Sequence, residues 1–124
     1  EPPPLDDLRR LWTPPMLTCP ECHGTLLRVA DSPLLRFRCH TGHAYTAASL
    51  ATEIDVAVEK SLWNSIRALE EAYTLKRQMA AHIRQFDRNH AEQLSADADA
   101  AQAQAEQLRS IATARWTASA SRVG

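Results

Sequence analysis

Residues 19–24 read Cys-Pro-Glu-Cys-His-Gly, and residues 38–43 read Arg-Cys-His-Thr-Gly-His. Together the two turns offer Cys-x2-Cys followed by Cys-x3-His, which supplies three thiolates and one imidazole. Such a set suits Zn²⁺, which binds sulfur and nitrogen donors in a tetrahedron and has no geometric preference of its own. Because four protein ligands leave no open position for water or substrate, the pattern predicts one zinc ion with a structural role.

The predicted zinc ligands are Cys19, Cys22, Cys39 and His43. The thiolates use all three cysteines of the chain, whereas three histidines compete for the fourth position. His43 is preferred because Gly42 lets the chain curl back toward the metal, while His40, adjacent to Cys39, would need a strained turn. His40 and His23 remain open as alternatives.

Two short strand-like runs lie between the turns, at residues 25–29 and 34–38, with Asp-Ser-Pro joining them at 31–33. They predict a β-hairpin that carries a metal-binding turn at each side, which is a zinc ribbon. Gly24 is expected to give the first turn its backbone freedom, and Gly42 the second. A ribbon of this size buries too little apolar surface to fold without its metal.

The second half of the chain has the period of an α-helix. A first apolar stripe consists of Leu50, Ile54, Val58, Leu62, Ile66, Leu69 and Tyr73, and it resumes at Ile83 and Phe86. A second, composed mostly of alanine, consists of Ala91, Leu94, Ala98, Ala101, Ala105, Leu108 and Ala112. Small seam residues permit close approach of two helices. The pattern therefore predicts an antiparallel, coiled-coil-like hairpin, with Thr46 as the N-cap, a possible kink near Thr52 and Asn89 at the turn.

The predicted fold is thus mostly α, with a small zinc ribbon followed by a long antiparallel helical hairpin. Residues 1–16 are assigned to a Pro-rich lead with a short helix, and residues 17–46 to the ribbon. The hairpin is assigned to residues 47–116, with helices at about 47–87 and 90–116. Residues 117–124 are small and polar and are predicted to form a disordered tail.

Composition narrows the classes of function. The formal net charge is −1, with 14 basic and 15 acidic residues, so no strong field attracts nucleic acid. No apolar run approaches the length of a membrane span, about 18 residues. Free thiols at metal spacing fit a reducing cytoplasm, and a strand-like run after Gly24 disfavours a thioredoxin-type redox pair.

The two turns and the first helix resemble a known family. The motifs are Thr-Cys-Pro-Glu-Cys-His-Gly at 18–24, the run from Leu35 to Thr46 that contains Phe-Arg-Cys-His-Thr-Gly-His-Ala-Tyr, and Leu-Trp-Asn-Ser-Ile-Arg-Ala-Leu-Glu-Glu at 62–71. They resemble a C-terminal extension of bacterial chemotaxis proteins of the CheB-type protein-glutamate methylesterase family. The resemblance supports Cys39 with His43 as ligands, and implies bacterial origin, cytoplasmic location and association with a chemosensory methylesterase. The methylesterase domain would lie upstream, so no catalytic residue of the family falls on this chain.

The expected function is a non-catalytic, zinc-stabilised regulatory module of signal transduction. Its helical hairpin would contact a protein partner, a second copy in an oligomer, or its own upstream catalytic domain. One alternative is a nucleic-acid-binding ribbon with Arg28, Arg36, Arg38 and Phe37 on its strands. Another is an enzyme in which zinc exchanges a histidine ligand for water, but the closed ligand set argues against it.

Overall fold

The structure of the protein is a computed structural model that describes residues 17–30 and 33–123. Three short strands, β1 (Leu26–Arg28), β2 (Arg36–Cys39) and β3 (Ala44–Thr46), precede two long helices, α1 (Ala47–Ile83) and α2 (Arg88–Val123). This confirms the predicted mostly helical fold. The Pro-rich lead assigned to residues 1–16 lies outside the described residues. The chain divides into two compact units between Asp55 and Val56, within α1.

In the first unit, the strands form one antiparallel sheet in the order β1-β2-β3. Leu26 pairs with Cys39 across β1 and β2, and Phe37 pairs with Tyr45 across β2 and β3. The sequence predicts only the first two strands. The third forms because the second turn closes tightly, with the amide of Cys39 donating to the carbonyl of His43 at 3.0 Å, so that the chain returns along β2.

One of the two turns uses its glycine as predicted, and the other does not. Gly42 has a φ of 101°, in the left-handed region that favours glycine, as expected. In the first turn, however, it is His23 that has a positive φ, of 63°. Gly24 is needed for space instead, because a Cβ at this position would lie 2.9 Å from Cε1 of His40.

Helix α1 begins where the sequence predicts. The hydroxyl of Thr46 accepts a hydrogen bond from the amide of Ser49 at 3.1 Å, and the hydroxyl of Ser49 accepts one from the amide of Thr46 at 3.0 Å. This reciprocal cap satisfies two amides at the helix start. The helix continues without interruption through Thr52, whose hydroxyl donates to the carbonyl of Ala48.

In the second unit, the predicted alanine seam is buried. Its members Ala91, Leu94, Ala98, Ala101, Ala105 and Ala112 are each at most 8% exposed, and Leu108 is half-buried. Ala80 and Ile83 of α1 pack with Ala91 and Leu94 near the turn. Farther along, Arg109 of α2 pairs with Glu70 and lies over the ring of Trp63. The two helices therefore run antiparallel, as predicted, and the residues of the seam are buried between them.

The turn between the helices corrects the predicted boundaries. Helix α1 ends at Ile83 and α2 begins at Arg88, rather than at about 87 and 90. Asp87 caps α2, because its Oδ1 accepts a hydrogen bond from the amide of His90 at 3.1 Å. Asn89, which the sequence pattern places at the turn, lies inside the first turn of α2.

Helix α2 extends beyond residue 116 to Val123, so residues 117–123 are helical where the sequence predicts a disordered tail. Neither glycine nor proline interrupts this segment, and the hydroxyls of Thr117 and Ser121 donate to carbonyls of the preceding turn. Among the described residues, neither helix is apolar over enough of its length to cross a bilayer.

Candidate metal centre

The first unit brings the four predicted ligands together. The donor atoms of Cys19, Cys22, Cys39 and His43 all lie within 4.8 Å of one another. The first turn supplies two of them, and it is closed by the amide of Cys19 donating to the carbonyl of Gly24 at 2.7 Å. Strand β2 supplies Cys39 at its end, and the turn before β3 supplies His43. The two turns meet because β1 and β2 pair in the register that places Leu26 opposite Cys39.

The spacing of the donor atoms fits a tetrahedral metal. Cys22 Sγ lies 3.7 Å from Cys39 Sγ, and Nδ1 of His43 lies 3.5 Å from Cys19 Sγ and 3.4 Å from Cys39 Sγ. A tetrahedron with zinc–sulfur bonds of about 2.3 Å and a zinc–nitrogen bond of about 2.0 Å has edges of about 3.8 and 3.5 Å. The four residues could therefore hold a metal ion with little movement.

The other two histidines of this unit stand outside the ligand cluster. Both His23 and His40 are exposed. The ring of His40 lies against Gly24, where a side chain at residue 24 would meet its Cε1 at 2.9 Å and its Nδ1 at 3.1 Å. The structure thus places His43 with the three cysteines, whereas His23 and His40 lie outside this group.

The sequence pattern does not identify Glu21 as part of the site. Its carboxylate lies 2.8 Å from Nε2 of His43, on the opposite side of the ring from the nitrogen that faces the thiols. A carboxylate that accepts a hydrogen bond from Nε2–H fixes the tautomer in which Nδ1 is free to bind a metal, and it raises the basicity of the ring. Its position between two cysteines is the only signal in the sequence that could have pointed to it.

Tyr45 is a second supporting residue that the sequence pattern does not identify. Its hydroxyl lies 3.4 Å from Cys19 Sγ, and this hydrogen bond raises the pKa of Tyr45, as burial also does. The hydroxyl therefore stays protonated and can donate to Cys19 Sγ. Cys19 is itself completely buried, in a small core with Leu26, Cys39 and Leu50.

Replacing Glu21 with glutamine should weaken metal binding without changing the ligands. The amide can still accept a hydrogen bond from His43, but it lacks the charge that raises the basicity of the ring. Loss of such supporting partners typically lowers metal affinity about 10–100-fold, and we expect the lower end here. Competition with a chelator measures the change. Glu53→Gln, at an exposed carboxylate of α1, is the control, and equal affinities for the two variants would contradict the role of Glu21.

Hydrogen bonds shift the ionisation of Cys39 and His43. Burial alone raises the pKa of the Cys39 thiol. Hydrogen bonds from the side chain of Thr41, from the backbone amides of Thr41 and His43, and from Cys22 outweigh it, and they lower the pKa from 9.0 to about 5. The hydrogen bond to Cys39 raises the pKa of His43 above its ordinary value of 6.5, with burial opposing the shift.

These two shifts predict the pH dependence of metal binding. Cys39 is already a thiolate at pH 7, so a proton competes with the metal for it only below about pH 5. His43 holds its proton to a higher pH than an ordinary imidazole, so competition there begins above 6.5. We expect His43 to lower the apparent affinity as the pH falls through its raised pKa, and Cys39 to lower it further below about pH 5. Chelator competition across this range tests it, and a constant affinity would contradict it.

Comparison with family models, with curated proteins and with solved structures finds no match to this chain. The association with methylesterases stays a prediction that rests on the motifs at residues 18–24, 35–46 and 62–71.

Proposed function

We propose that the first unit binds one Zn²⁺ ion whose role is structural. The observation that carries this proposal is the closed set of three thiols and one imidazole at tetrahedral spacing, with donor atoms within 4.8 Å of one another. Thiolates together with imidazole favour zinc over the hard cations that prefer oxygen, and a d¹⁰ ion tolerates the geometry that the two turns impose. Four protein ligands leave no position for a substrate, so the module is non-catalytic.

Metal analysis of the purified chain tests the zinc site. We expect one zinc per chain, retained by His40→Ala and lost or greatly weakened by His43→Ala, because His43 is the one histidine of the described residues that lies among the thiols. The two variants form a matched pair, since both remove one imidazole from the same turn. Full zinc content after His43→Ala would exclude this residue as the fourth ligand, and a folded, reduced chain without metal would exclude the zinc site.

We propose further that the helical hairpin is a contact surface for a protein partner. In the second unit, several large apolar side chains are more than 40% exposed: Val56, Trp63, Leu75, Met79, Phe86, Ile111 and Trp116. Aromatic residues and methionine are enriched in protein interfaces. The resemblance of the motifs suggests that the partner is a chemosensory methylesterase or a second copy of the chain, in a bacterial cytoplasm.

Binding of a separately produced methylesterase domain, and sedimentation of the chain alone, test the contact surface. Trp116→Glu and Phe86→Glu should weaken whichever association is found, because these two side chains are 65% and 76% exposed. Unchanged association in both variants would place the interface elsewhere. Glutamate at these exposed positions leaves the hairpin itself intact, so its helix content is the control.

The nucleic-acid alternative finds less support. The register pairs Arg28 with Phe37, whereas Arg36 and Arg38 lie on the other side of the strand. The three arginines are therefore divided between the two faces of the sheet. Neither face combines several cations with an aromatic platform for bases.

A further inference from the structure

Thr41 contacts most of the metal centre, although it is not part of the ligand pattern. Its hydroxyl oxygen lies 2.9 Å from Cys39 Sγ, 3.2 Å from His43 Nδ1 and 3.4 Å from Cys22 Sγ. An oxygen at hydrogen-bond distance from three of the four donor atoms lies over the face that those three atoms form. The fourth donor, Cys19, has its own hydroxyl neighbour in Tyr45.

The face covered by Thr41 contains the two donor residues that are the less buried of the four. Cys19 and Cys39 are buried, with exposed fractions of 0% and 4%, whereas Cys22 and His43 are partly buried and Thr41 itself is exposed. Water or a competing ligand that approaches the donor atoms from this side meets the side chain of Thr41 first.

The second turn holds Thr41 in this position. The amide of Gly42 donates to the carbonyl of Cys39 at 3.1 Å, and the amide of Cys39 donates to the carbonyl of His43 at 3.0 Å. The residue between two ligands is thereby fixed in a closed turn, and its hydroxyl needs no rearrangement to reach the thiols. A hydroxyl beside thiolates can only donate, and hydrogen bonds to charged acceptors are the strong ones.

We propose that Thr41 is a positioning residue that slows metal exchange at this centre. Its single hydroxyl proton is donated to the thiolate of Cys39 and holds this sulfur in the ligand geometry, with Cys22 as the alternative acceptor. Because the hydroxyl stands over the face formed by Cys22, Cys39 and His43, it hinders attack by an incoming ligand from that side. The inference rests on the proposed zinc site and adds to it a residue that governs how long the ion stays bound.

Three variants of the full chain separate the hydroxyl from the shape of the side chain. Thr41→Val keeps the shape without the hydroxyl, and Thr41→Ser keeps the hydroxyl without the methyl group. Thr25→Val makes the same change at an exposed threonine of the same unit, outside the ligand cluster. Each variant is loaded with Zn²⁺ or with Co²⁺, whose absorption bands report tetrahedral coordination and the bond to sulfur.

The measured quantity is the rate of metal release to an excess of chelator after rapid mixing. Loss of a supporting partner typically lowers metal affinity about 10–100-fold. We expect this loss in Thr41→Val to appear as release that is faster than from the parent by about the same factor. Thr41→Ser and Thr25→Val should release at close to the parent rate. The sulfur-to-cobalt charge-transfer band should shift in Thr41→Val and stay in place in Thr41→Ser. Failure of Thr41→Val alone to bind metal would support the same conclusion.

Two results would overturn the inference while leaving the metal site intact. One is a Thr41→Val protein that binds one tetrahedral cobalt and releases it at the parent rate. The other is a Thr41→Ser protein that releases metal as fast as Thr41→Val, or that fails to bind it, because the hydroxyl would then not be the operative group. A parent chain that binds no metal would overturn the zinc site itself and the role of Thr41 with it.

Discussion

Replacing Cys39 with serine should abolish stoichiometric metal binding and unfold residues 17–46, while the second unit stays helical. Cys39 is both a proposed ligand and one of four buried residues in the core that the described part of the first unit forms. Two of those four, Cys19 and Cys39, are proposed ligands, so among the described residues this core has little apolar content of its own. In small zinc modules the apparent binding free energy, about 10–16 kcal/mol, is effectively the folding free energy.

Amide hydrogen exchange resolved along the chain measures this result. Amides of the sheet should lose their protection in Cys39→Ser, and in the parent after treatment with a chelator, whereas those of α2 should keep it. His40→Ala, which changes the neighbouring exposed residue, is the control and should retain both metal and protection. Protected sheet amides in metal-free Cys39→Ser would show that the first unit folds without its ion.

Replacing Leu94 with glutamate should strongly destabilise the hairpin. Leu94 is 8% exposed and packs with Ala80, Ile83 and Ala91 near the turn between the helices. The substitution removes a buried apolar side chain and places an unpaired carboxylate among alanines, where no described cation lies in the same cluster. Removal of buried leucine side chains alone costs about 2–5 kcal/mol, and burial of a charge adds to this.

Urea denaturation followed by circular dichroism gives the change in the free energy of unfolding. Leu75→Glu makes the same substitution on α1 at a position that is 58% exposed, and it should change stability by less than about 0.5 kcal/mol. Similar losses in the two variants would mean that the alanine seam is not what holds the helices together. Because the seam is buried inside the hairpin, it is also not available for self-association, which must use other faces.

The order of elements and the members of the seam followed from the sequence. Alanines at spacings of three and four lie on one face of a helix, so the period of the pattern was enough to predict which residues form the seam. The start of α1 was predictable because Thr46 is a good N-cap in front of a long helical pattern. The turn between the helices was less predictable. Asp87 and Asn89 are both good N-caps, and which of them caps α2 depends on where α1 ends. In the structure α1 ends at Ile83, which packs against Ala91 and Leu94 of α2.

By itself, the sequence predicted the candidate metal centre, because three cysteines and a histidine at these spacings have few other uses. The tertiary structure decided which histidine joins the thiols and what surrounds them. The pairing of β1 with β2 brings the two turns together, β3 carries Tyr45 to Cys19, and the closed turns place Glu21 and Thr41 beside His43. These supporting contacts join residues that are far apart along the chain or that lie at the unspecified positions between the ligands of the motif. Their chemistry appears only when the distances between side chains are known.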